Sequence, residues 1–142
     1  MRKVSLFVLG VVGPLLAIGC GSSGPELARV QGTVKLDGAP LPEAMITFVP
    51  AEGRPSFGVT DSDGNFDLLY TTDRRGALPG EHVVRVSTQR AGDPESGTKG
   101  QPERVPAKFN KKSEIKKTVE PGSNTIDIEV SSKDGKVVPP ID

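Results

Sequence analysis

At 142 residues with a formal net charge of zero, the chain suits one ordinary domain rather than two. Gly 17 and Pro 13 favour a turn-rich protein, and a charged fraction of 25% is that of a globular domain, not a disordered one. One cysteine, one histidine and no tryptophan exclude an intramolecular disulfide and a cysteine-based zinc cage, and the lack of a basic surplus argues against a nucleic-acid partner.

Arg2 and Lys3 form a short positive segment, followed by an uncharged, mostly apolar stretch from Val4 to Ile18. That stretch is shorter than the ~20 residues a membrane-spanning helix needs, and Gly10, Gly13 and Pro14 weaken it further. The layout is that of a secretory signal peptide over residues 1–19, expected to be helical. Ala17-Ile18-Gly19-Cys20 ends the apolar stretch, and a polar, glycine-rich segment follows. This tetrapeptide resembles the lipobox of bacterial lipoproteins, although Ala17 stands where that family usually has Leu. The resemblance implies cleavage between Gly19 and Cys20 and a diacylglyceryl group (with palmitate-type acyl chains) on the Cys20 thiol. Acyl chains contribute about 0.8 kcal/mol per buried CH₂, so two or three hold a protein firmly to a membrane. Gly21, not aspartate, follows the cysteine, which favours the outer membrane of the cell envelope over the inner.

Residues 20–26 read as a lipidated, flexible tether, and a sandwich domain is expected over 27–132 with a free tail over 133–142. From Leu27 the pattern has period two: Val30, Gly32, Val34 and Leu36 share one face, and Arg29, Gln31, Thr33 and Lys35 the other. Asp37-Gly38 predicts a turn, and Pro40 and Pro42 an extended connection. Ala44, Ile46 and Phe48 mark the inward face of a second strand, and Phe57 and Val59 mark a third. Asp61-Ser62-Asp63-Gly64 predicts a tight hairpin turn into a fourth strand carrying Phe66, Leu68 and Tyr70. Val84 and Val86 belong to a fifth strand over about 81–89. The polar segment 90–106 is long for a compact domain and reads either as a partner-binding loop or as disordered. Ile115 and Val119 lie on a sixth strand, and Ile126, Ile128 and Val130 alternate on a seventh after the Pro121-Gly122 turn. About seven short antiparallel strands predict an all-β sandwich.

The series Val30-x-Gly32-x-Val34-x-x-Asp37-Gly38-x-Pro40-Leu41-x-x-Ala44-x-Ile46-x-Phe48 resembles the opening of carboxypeptidase regulatory-like domains, which share the transthyretin-like sandwich. Thr60-Asp61-x-Asp63-Gly64-x-Phe66-x-Leu68 and Leu78-Pro79-Gly80-Glu81-His82-x-Val84-x-Val86 resemble its next hairpin and strand. Val105-Pro106-Ala107-Lys108-Phe109 and Pro121-Gly122-x-Asn124 resemble segments of small lipoproteins carrying that domain alone. The resemblance spans Val30 to Val130 and implies a β-sandwich used as an accessory, adhesive or structural module; it does not imply peptidase activity. Transthyretin-like hydrolases rely on several histidines and a characteristic C-terminal motif; this chain has one histidine and ends Pro139-Pro140-Ile141-Asp142.

Candidate chemistry is sparse. His82 shares a face with Val84 and Val86, as a core ring would; as a metal ligand or general base it would have no second histidine to work with. Asp61, Asp63 and Asn65 have the spacing of a calcium loop's start, but the twelfth position is Thr72 rather than glutamate, and a plain turn explains the same residues. Lys108, Lys111, Lys112, Lys116 and Lys117 form a basic cluster that suits either a solvated edge or contact with anionic envelope polymer or lipid headgroups. The expectation is a non-enzymatic, lipid-anchored envelope domain with a structural or protein-binding role and no cofactor beyond the lipid at Cys20. The alternative is a module that binds calcium or glycan at the loop end of the sandwich.

Overall fold

The computed structural model describes residues 24–138. The signal peptide, the Gly19/Cys20 cleavage point, the first tether residues and the last four residues lie outside the described residues. Among the described residues nine short strands build two facing sheets, so the all-β sandwich is the fold. The first sheet centres on β1 (Arg29–Leu36), flanked by β2 (Ala39–Pro40) and β5 (Asn65–Asp67) on antiparallel ladders. β8 (Ser123–Thr125) and β9 (Ile128–Val130) also pair with β1, but in parallel. The second sheet runs β4 (Ser56–Val59), β3 (Met45–Pro50), β6 (Gly80–Ser87) and β7 (Ile115–Val119), all antiparallel.

The excess over seven strands has two local causes. Asp37 and Gly38 both adopt positive φ (52° and 83°), the requirement of a type I′ turn, and this folds Ala39–Pro40 back onto β1. The predicted seventh strand is interrupted at Ile126-Asp127, where the Asp127 carboxylate replaces a backbone partner. Its Oδ1 accepts the Thr33 N–H at 3.0 Å and the Thr33 hydroxyl at 2.9 Å. Gly32 lies beside this break, and a Cβ there would overlap the Ile126 carbonyl.

The core lies between the sheets. Val30 and Val34 of β1, Ile46 and Phe48 of β3, Val84 and Val86 of β6 and Phe66 of β5 are all buried, as period-two alternation requires. β4 departs from the expected pattern of apolar residues facing inward. Ser56, Gly58 and Thr60 face inward, while Phe57 and Val59 stand 42% and 57% exposed. The reason is close approach: a Cβ at Gly58 would lie 3.0 Å from the Asp67 carbonyl and 3.3 Å from Leu68. Thr60 fits because its hydroxyl donates to the Leu41 carbonyl at 2.6 Å and accepts the Ala44 N–H at 2.8 Å.

The hairpin expected around Asp61–Gly64 divides between the sheets. Its turn is closed by Asp61 N–H to Asn65 O, and Phe57 and Leu69 exchange both backbone bonds, yet β4 pairs with β3 and β5 with β1. Gly64 takes φ of 79° while Asp63 does not, so the turn is a three-residue loop rather than a two-residue I′ turn.

Segment 90–106 is folded. Arg90 and Gln101 exchange backbone hydrogen bonds and Asp93 N–H reaches Thr98 O, making an irregular, exposed arm. The expected free tail is also tied down as far as Lys136. Ser132 hydrogen-bonds the Asp37 carboxylate, and the Lys136 carbonyl accepts the Ala107 N–H.

Candidate functional site

Strand direction sorts the loops to two ends. β1 starts beside Gly24–Ala28, where β5 and β7 end and β6 and β8 begin; the chain around residues 51–55, 69–79 and 120–123 therefore gathers there. The turns at Asp37-Gly38 and Asp61–Gly64, the arm after Ser87 and the Ser131–Lys136 tail occupy the other end. Eight-residue β1 separates the two ends by about 25 Å at ~3.3 Å per residue.

Along the side where β4 and β5 diverge runs an open groove of about 1000 Å³. Its apolar wall is Met45, Phe57, Val59 and Leu69, all substantially exposed. Its polar wall includes Thr33, Asn65, Asp67 and Asp127. Asp67 Oδ2 receives Arg29 at 3.0 Å and Arg75 at 2.6 Å, while its buried Oδ1 has no partner among the described residues. At the first end of the groove two guanidinium groups approach the Tyr70 ring, Arg54 at 6.0 Å and Arg74 at 5.9 Å from its centroid. Alternation places Met45 and Leu69 outward, but Phe57 and Val59 of this row were not readable that way, because β4 reverses which of its residues face inward.

The residues singled out from sequence fall in separate places. Asp61 and Asn65 lie on the groove rim and Asp63 in the turn beside them. Asp61 Oδ1 accepts the N–H groups of Asp63 and Asn65, both at 2.9 Å, and Oδ2 accepts the Asn65 side-chain amide at 3.3 Å. These bonds, the Asn65 N–H foremost, hold the Asp61 carboxyl below the usual carboxylate range. The carboxylate thus organises the turn. No group of three or more His, Cys, Asp or Glu able to hold a metal occurs among the described residues.

The five lysines do not form one patch. Lys108 sits on the short 3₁₀ turn Ala107–Phe109 with its ammonium 5.8 Å from the Phe109 ring centroid, and Lys111 and Lys112 follow in the same turn region at the arm end. Lys116 faces outward on β7, 3.8 Å from Glu81, whereas Lys117 alternates with it and is half-buried beside Ile115 and Val119. β7 is a sheet edge, where lysines oppose strand-to-strand aggregation.

His82 is buried against Phe48 at 5.7 Å between ring centroids, and its Nε2 donates to the Leu78 carbonyl at 2.7 Å. A carbonyl can only accept, so Nε2 is the donor of this bond, and buried Nδ1 has no hydrogen-bond partner among the described residues. No family model matches the chain, and no curated protein matches it. Among solved structures, a DUF3823 family protein from Parabacteroides merdae is similar at a TM-score of 0.40 and 15% identity over 75% of this chain. That is a weak likeness of fold, and the chain spans 47% of that structure's length.

Glu103 is the polar centre that the sequence did not announce. It is buried, and Oε1 accepts the N–H groups of Thr88, Arg104 and Val105 at 3.0 Å each and the Thr88 hydroxyl at 3.1 Å. Oε2 accepts Ser87 at 2.6 Å and the Asn110 amide at 2.7 Å. Burial pushes its pKa up, but the hydrogen bonds from Ser87, Thr88 and Val105 outweigh burial and hold it below the ordinary glutamate value. One carboxylate therefore fastens the root of the arm and the following 3₁₀ turn to β6.

Proposed function

We propose that this chain is a lipid-anchored β-sandwich of a bacterial cell envelope, of the carboxypeptidase regulatory-like kind, with a structural or protein-binding role. Outer-membrane attachment is favoured. The observation that carries the anchored reading is the N-terminal sequence, a positive start and an uncharged apolar stretch ending in Ala17-Ile18-Gly19-Cys20, and the covalent span from Cys20 to the folded domain is short. Gly24, four residues after Cys20, already packs against Arg74, and Arg74 Nη2 donates to the Pro25 carbonyl at 2.6 Å. A lipid on Cys20 would thus hold this sandwich close to a membrane. The exposed Met45-Phe57-Val59-Leu69 row supports a protein-binding role, since contiguous apolar surface of this kind marks contact sites.

Intact mass of protein extracted from the native host's membranes, beside a Cys20→Ala variant, tests the anchor. A chain beginning at Cys20 with acyl mass, lost in the variant, supports it; an unmodified soluble chain refutes it. A second reading, a calcium- or glycan-binding module, draws on the groove and on Asp61 and Asn65 at its rim. Calorimetric titration with calcium giving no heat removes the calcium form of that reading.

A further inference from the structure

We infer that the tether end of the sandwich lies against the lipid surface and that the arm formed by Arg90–Gln101 points away from it. The inference rests on the lipid-anchor reading and adds an orientation to it. A chain spans at most about 3.6 Å per residue, so the four steps from Cys20 to Gly24 reach no further than about 14 Å. The two ends of the domain are about 25 Å apart along β1. A lipid at Cys20 can therefore bring the end bearing Gly24–Ala28, Leu69–Arg75 and Gly122 to a headgroup layer, while the arm end stays beyond it.

The side chains at the tether end suit that position. Tyr70 lies at this end with the guanidinium groups of Arg54 and Arg74 about its ring. Aromatic rings with a polar tip and arginines with long apolar stems are the residues that tolerate an interface, apolar body inward and polar group in water. Charge at this end is mixed: Glu26, Glu52, Asp73 and Glu120 accompany Arg54, Arg74 and Arg75. The contact accordingly needs no anionic lipid and forms on a zwitterionic surface. Lys108 and Lys112 lie at the opposite end, so in this orientation they face away from the anchoring membrane.

The test uses full-length, acylated protein reconstituted into phosphatidylcholine vesicles carrying a headgroup nitroxide. With the Cys20 thiol blocked by lipid, a Thr72→Cys or Ser96→Cys variant offers one labelling site for a small fluorophore. Several-fold stronger quenching at position 72 than at 96, unchanged by adding anionic lipid, is the expected result. Equal or reversed quenching in protein of confirmed acyl mass overturns the orientation alone, whereas absent acyl mass removes the anchor and the orientation with it. Tyr70 is the only tyrosine and tryptophan is absent, so quenching of native tyrosine emission by the same vesicles checks the result without labelling. Unquenched Tyr70 in acylated protein also overturns it.

Discussion

Replacing Glu103 separates the two things that its carboxylate does, accepting hydrogen bonds and carrying charge. In Glu103→Ala the buried N–H groups of Thr88 and Val105 lose their acceptor, as does the Asn110 amide; Arg104 N–H retains the Thr88 hydroxyl at 2.8 Å. Each buried donor left unsatisfied costs about 1–3 kcal/mol, so the variant should lose about 3–5 kcal/mol, a large part of a small domain's stability. Glu103→Gln keeps the shape. Its amide oxygen can occupy the Oε1 position and its NH₂ the Oε2 position, where Ser87 can rotate to accept and Asn110 can flip to present its oxygen. The loss there should be about 1–2 kcal/mol. Urea denaturation followed by far-UV circular dichroism measures both. The pH dependence follows from the depressed pKa. The carboxylate's contribution is complete above the ordinary glutamate value of 4.5 and is lost as pH falls through the lower folded value. The wild-type minus Glu103→Gln stability difference should therefore shrink on acidification from pH 6 to pH 3. An Ala variant within about 1 kcal/mol of wild type, or a difference that grows in acid, would refute the reasoning.

Gly32→Ala places a methyl group on the Ile126 carbonyl, and because that neighbour is backbone the first sheet must open. A loss of about 3 kcal/mol or more is expected in the same urea assay, and wild-type stability would contradict the packing at this break. His82→Phe exchanges one bond to Leu78 and a ring nitrogen without a partner among the described residues for a ring of similar shape, so thermal stability should change by less than about 1 kcal/mol. His82→Ala should cost about 3 kcal/mol, and equal effects of the two would show that the ring's packing on Phe48 is not what matters.

Most of the strand pattern was legible because a half-buried strand must alternate, as β1, β3 and β6 do. The Asp37-Gly38 turn was legible because few residues accept positive φ at two successive positions. The exceptions are settled by partners distant in the chain. Phe57 and Val59 read as core residues until the approach of Asp67 and Leu68 leaves room only for Gly58 and its small neighbours. The Asp61–Gly64 turn carries ordinary hairpin chemistry, and nothing local tells that β1 will take β5 away from β4. Glu103 sits in a polar stretch with no periodic signal, and its six donors come from three separate segments. The groove was hidden for the same reason: its walls come from both sheets.

The parallel pairing of β1 with β8 and β9 sets the order of events in biogenesis. The first strand of the domain occupies the middle of its sheet and stays half-partnered until residues about 95 positions later arrive, as the Thr33–Asp127 and Asp37–Ser132 bonds show. A chain that emerges from its N-terminus, whether from a ribosome or through a translocation channel, must therefore wait for residues 123–130 before this sheet can close. Such a delay keeps the polypeptide threadable while it is being delivered, and it exposes an unfinished strand edge that a holding chaperone would need to shield.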